Sequence, residues 1–190
     1  PEASASFPEA AVALPPELRS YAPPRLVTVE PPPGRDGAGA PALRFVLLDG
    51  RDDGKKAYDT LAALAPDGSV AGRLGPGEWA SIREPADGGA ARGRWVKLLA
   101  LAADGSALSL YVGGVGQTEA WPDDYQRTLD ERCGFWPGPP DSRLLSGPAP
   151  DVKTFLEMAE RFASFFVAAF EAAERRGDWD LLLAYQPLLD

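Results

Sequence analysis

DVKTFLEMAERFASFFVAAFEAAERRGDWDLLLAYQ, residues 151–186, decides the fold class. Phe155, Met158, Phe162, Phe165, Phe166 and Phe170 recur at helical spacing and predict one long amphipathic helix with a core-packing stripe. Asp151 supplies an N-cap, and Gly177, preceded by Arg175 and Arg176, supplies the stop. LLLAY (181–185) follows almost at once. It is apolar on both faces, the pattern of a strand buried inside a sheet covered on both sides. Helix and strand together are expected to be the α–β half of a βαβ crossover.

Upstream of the helix the periodicity changes from helical to alternating. LRFVLLDG (43–50) reads as a strand closed by Asp-Gly, and YDTLAALAPDGSV (58–70) as a strand followed by a Pro-Asp-Gly-Ser turn. EWASIREP (78–85) alternates, with Trp79, Ser81 and Arg83 on one face and Ala80 and Ile82 on the other. RWVKLLALAADGSALSLYVGG (94–114) reads as two strands joined at Ala-Asp-Gly-Ser. Turn chemistry recurring every ten to fifteen residues or so predicts an antiparallel meander. PDDYQRTLDERCGF (122–135) opens with proline, carries two aspartates in its first turn and stops at Gly134, which predicts a shorter helix. WPGPPD (136–141) is a rigid turn.

Residues 1–40 stack prolines in ALPPELRSYAPPR and EPPPGRDGAGAP, which sit in neither helix interiors nor central strands. RLVTVE (25–30) between them is a short strand, so the region is expected to lie against a larger body. The expected class is therefore α+β: an antiparallel β-meander region with a long C-terminal helix leading into a buried strand of an α/β sheet. The expected organisation is an extended segment over 1–40, a β-rich insertion or cap over 41–150, and a helix–strand piece of a catalytic core over 151–190.

Composition removes several function classes. The net charge is −9 and the pI about 4.6, which argues against a nucleic-acid polymer, whose recognition needs a basic face. There is no histidine and one cysteine, Cys133. That excludes a Ser-His-Asp triad and an intrachain disulfide within these residues, and leaves few zinc donors. Cys133 lacks a histidine base and reads as a small packed residue. No signal peptide and no run of about 18 apolar residues is visible, so no membrane partner is expected and the cytoplasm is favoured.

Candidate sites are few. GKK (54–56) lacks the spacing of a phosphate-binding loop, and VGGVG (112–116) reads as a turn. Asp49, Asp52 and Asp53 lack calcium-loop spacing. Asp123 and Asp124 serve a helix start. Trp79, Trp95, Trp121 and Trp136 are aromatic contact candidates and also ordinary packing residues. Asp190 lies just past the carboxyl end of the expected strand, where open α/β sheets place their chemistry. It is a metal-ligand or catalytic candidate, or else a loop residue or helix cap.

DWDLLLAYQPLLD (178–190) resembles type I phosphodiesterases and nucleotide pyrophosphatases of the alkaline phosphatase superfamily. Asp178, Asp180, Leu181, Leu182, Leu183, Tyr185, Pro187 and Asp190 carry the resemblance. LSLYVGGVGQTEAWPDDY (108–125) and GFWPGPPD (134–141) resemble the middle region of bacterial members more loosely. The resemblance implies a two-zinc hydrolase acting on a small phosphoester, with Asp190 as one zinc ligand and a histidine four residues later as another. The family's nucleophile and its remaining histidines have no counterpart here. The chain is therefore expected to be an internal piece of a larger enzyme, inactive and without bound zinc when isolated. A homodimer through residues 152–186 is expected to cover the helix stripe. The alternative from another class is a non-catalytic β-rich binding or assembly module.

Overall fold

A computed structural model describes residues 14–31, 41–84, 91–146 and 148–185. The fold is α+β: among the described residues there are antiparallel meander sheets and two α-helices, the second long and near the C-terminus. The residues group into two compact units, one of Pro1–Pro85 and Arg94–Gly114, the other of Ala86–Gly93 and Val115–Asp190.

In the first unit, β1 (Arg25–Val29), β2 (Leu43–Leu48), β3 (Thr60–Leu64) and β4 (Val70–Leu74) form one antiparallel sheet in sequence order. Strand register sets its faces. Val27 pairs with Phe45 and Phe45 with Ala63, while Leu47 pairs with Leu61 and Leu61 with Leu74. These side chains share one face and are buried together with Ala80, Ile82, Val96 and Leu98. The last four belong to β5 (Trp79–Arg83) and β6 (Arg92–Leu101), which with β7 (Leu108–Val112) make the second sheet. The core thus lies between the inner faces of two sheets.

The other face of the first sheet is also covered. Val46, Leu48, Ala62 and Leu64 form a second apolar cluster with Leu14 and Leu18 of the proline-rich segment. This explains why LRFVLL is nearly continuous in its hydrophobicity rather than alternating. The segment is pinned by two hydrogen bonds: Tyr21 N donates to the Asp49 carbonyl at 2.9 Å, and Asp49 N donates to the Ser20 hydroxyl oxygen at 3.0 Å.

Both Asp-Gly-Ser sites are turns. Asp67 Oδ1 accepts from Ser69 N and Oγ at 2.9 and 2.6 Å, and Asp104 Oδ1 does the same with Ser106 at 2.9 and 2.6 Å. Those donors, the serine hydroxyls foremost, hold both carboxyls below their ordinary value. Gly105 has φ +69°, and a Cβ there would lie 2.7 Å from the Tyr58 ring, so the turn packs back onto the sheet through a glycine.

Two strands escape the sequence reading. β4, VAGRL, is hidden by Gly72 and Arg73; Gly72 is glycine because its Cβ would approach that of Ala80 to 3.0 Å. β8 (Gly116–Gln117) is two residues long and pairs with the start of β6 at Arg92 and Gly93.

The second unit is built around α1 (Asp123–Arg132) and α2 (Val152–Arg176). Leu129 O accepts from Cys133 N and Gly134 N, with Gly134 at φ +69°, which closes α1. Asp151 caps α2 by accepting from Thr154 N at 3.0 Å, and Gly177, left-handed at φ 65°, ends it. Trp136 sits edge-on against Phe162, Phe165 and Phe166, with ring centroids 5.1, 5.3 and 5.2 Å away. Arg176 ties the C-terminal turn of α2 to α1, donating to Asp124 at 2.9 Å while also holding Asp178 at 2.7 Å.

The buried strand expected over LLLAY is not formed. Residues 181–185 carry no strand pairing, and Leu181, Leu183 and Tyr185 are 73, 82 and 68% exposed. A strand exists only through a neighbour's backbone groups, and the described residues place none beside it. No helix among the described residues is long and apolar enough to cross a membrane.

Candidate functional site

Asp190, Pro187 and Gln186 lie outside the described residues. Of the other positions in that stretch, Asp178 is held by Arg176, which with its own bond pulls the carboxyl below its ordinary value. Asp180 is exposed. Among the described residues no three His, Cys, Asp or Glu side chains converge as a metal site. The described residues therefore do not fit a zinc centre.

The acids near position 50 are structural. Asp49 is buried and its Oδ2 accepts from Ala57 N at 3.3 Å, while Asp53 Oδ1 accepts from Lys55 N at 2.9 Å. Cys133 is half-buried, and desolvation pushes its thiol up from the ordinary value, the opposite of what a nucleophile needs. The tryptophans divide by environment. Trp79 packs edge-on to Tyr111 at 5.7 Å and under the ammonium of Lys97 at 5.5 Å. Trp136 belongs to the phenylalanine cluster, Trp95 is half-buried, and Trp121 is 85% exposed.

One concavity lies within the first unit, about 780 Å³ in volume, at the end of the sheet where β2 leaves and β3 enters. Its charged lining is Glu17, Arg19, Arg51, Asp59, Arg73 and Glu78, with Tyr21 and Tyr58. The volume suits a small ligand. The charges are largely spoken for inside the protein. Arg51 Nε meets Asp59 at 3.0 Å, Asp59 also accepts from Gly50 N at 2.9 Å, and Glu78 accepts from Gly75 N at 2.7 Å. Arg73 donates to the Glu17 carbonyl. Three arginines against three acids leave no field of one sign to select an anion. No local motif marks this groove, because its walls come from residues spread between positions 17 and 78 whose meeting depends on the register of the sheet.

The inner face of the two sheets also holds an ion pair. Arg94, on the same side of β6 as Val96 and Leu98, meets Glu84 at 2.6 Å, the side chains being 1% and 5% exposed. Arg94 Nη1 reaches the Gly113 carbonyl at 3.4 Å, and Nη2 is buried with no partner among the described residues.

Comparison with known proteins finds no matching family model, no matching curated protein and no matching solved structure.

Proposed function

We propose that the chain is part of a metal-dependent phosphodiesterase or nucleotide pyrophosphatase-like hydrolase, and that it contributes structure and one carboxylate rather than a complete catalytic centre. The observation that carries this reading is the exposed run after α2. Leu181 and Leu183 are 73 and 82% exposed, within the stretch that also bears Asp178, Asp180 and Asp190. Burying each such side chain contributes roughly 1.5–3 kcal/mol, and contiguous apolar surface of this kind marks a contact to be covered. In the hydrolase reading the catalytic core covers it and brings Asp190 to the metal.

In this reading the remaining ligands and the nucleophile are supplied by other parts of the enzyme. The substrate class is a small phosphoester. The β-rich first unit would shape access to the cleft. The isolated chain is expected to show no zinc- or manganese-dependent hydrolysis of bis-p-nitrophenyl phosphate above a metal-only control, and the coding sequence beyond Asp190 is expected to specify histidine four residues later. Turnover by the isolated chain, or another residue at that position, argues against the reading.

The second reading is a non-catalytic binding module. It is favoured by the groove of about 780 Å³ in a unit that has its own two-sheet core.

A further inference from the structure

The groove of the first unit has one wall unlike the others. Arg51 is tied to Asp59 at 3.0 Å, Arg73 to the Glu17 carbonyl, and Glu78 to Gly75 N at 2.7 Å. Glu17 and Arg19, which line the same groove, are different. Neither side chain bonds to a described residue, and they do not bond to each other. Their spacing is no obstacle. Arg143 meets Asp141, and Arg176 meets Asp178, each two residues apart and each at 2.7 Å.

The backbone that carries the two charges is held from behind. Leu18, between them, is buried in the apolar cluster on the outer face of the first sheet, and its N donates to the Pro15 carbonyl at 2.9 Å. Arg73 grips the Glu17 carbonyl on one side, and Asp49 fixes Ser20 and Tyr21 on the other. A carboxylate and a guanidinium therefore stand on a wall that is ordered before any ligand arrives, which lowers the entropy cost of binding.

Opposite charges side by side disfavour a lone anion as much as a lone cation. They suit a ligand that carries both. Two residues of chain span at most about 7 Å, so Glu17 and Arg19 are set about as far apart as the termini of a dipeptide, itself two residues long. Glu17 accepts from the ammonium end, and the planar fork of Arg19 matches the carboxylate end. Tyr21, 51% exposed on the same wall, offers a ring to a peptide side chain.

We propose that this groove binds a short zwitterionic peptide of dipeptide size, with Glu17 on its ammonium and Arg19 on its carboxylate. The assignment rests on the binding-module reading and gives that module its ligand class. Titration of the whole nitrogen-15-labelled chain with Ala-Phe is expected to shift the amides of Arg19, Tyr21, Gly50 and Gly75 saturably and to leave those of α2 unmoved. N-acetyl-Ala-Phe and Ala-Phe amide are each expected to bind about five- to tenfold more weakly, the effect of losing one charge-assisted contact. Glu17→Gln is expected to erase only the difference between free and acetylated peptide, and Arg19→Gln only that between free and amidated peptide. Equal affinity for free and blocked peptides overturns the ligand assignment and leaves the module reading standing. No saturable shift with any of the three overturns the assignment and removes the groove as support for that reading.

Discussion

Replacing Glu84 with alanine is expected to lower stability by about 3–5 kcal/mol, the range for removing one partner of a buried ion pair. The magnitude follows from where Arg94 is held. Its side chain is 1% exposed, on the core face of β6, and its other contacts are the Gly113 carbonyl at 3.4 Å and, at Nη2, none among the described residues. Without the carboxylate a guanidinium charge remains in the low-dielectric interior, and its desolvation is no longer offset. The remedy identifies the cause. Glu84→Leu combined with Arg94→Met removes both charges, keeps most of the volume, and is expected to bring stability back to within about 1 kcal/mol of the starting protein. Urea unfolding followed by tryptophan fluorescence measures both. A loss below about 1 kcal/mol for Glu84→Ala is the behaviour of a solvated surface pair and would contradict the buried placement.

Trp136→Ala is expected to cost about 3 kcal/mol, the lower end for a large aromatic because the residue is half-buried. Three edge-on contacts to Phe162, Phe165 and Phe166 disappear together, each worth about 0.5–1.5 kcal/mol beyond area burial. The loss spreads through the backbone. The Trp136 carbonyl lies where a Cβ on residue 116 would be, 1.6 Å away, so only glycine there allows β8 to lie against this segment. Hydrogen exchange of α2 amides is expected to speed up over the turns holding Phe162 to Phe166. Trp136→Phe is expected to recover much of the protection. Exchange unchanged in Trp136→Ala would mean that α2 is ordered without its aromatic partner.

Local rules carried much of the fold. Asp151 and Gly177 bound the long helix because capping and left-handed glycine depend on nearest neighbours alone. The two Asp-Gly-Ser turns were legible for the same reason. β4 was not, because Gly72 is set by the close approach of Ala80, a contact between strands. LLLAY was misread because apolarity on both faces states a demand for burial and not its fulfilment. Arg94 and Glu84 were opaque as well: charged residues at strand ends read as solvated, and only the register of β6 turns Arg94 inward. Of the candidate site, Asp190 came from position and resemblance, and the groove from neither.

The hydrolase proposal is tested most directly on the enzyme it makes this chain a part of. Zinc-dependent hydrolysis of bis-p-nitrophenyl phosphate is expected for the intact protein. Asp190→Asn is expected to reduce it by more than the roughly 10–100-fold typical of losing a residue that merely supports a metal ligand, with zinc content falling in parallel. Full activity and full zinc content in the Asp190→Asn protein would contradict the assignment of Asp190 to the metal and, with it, the account of why an exposed leucine run follows α2.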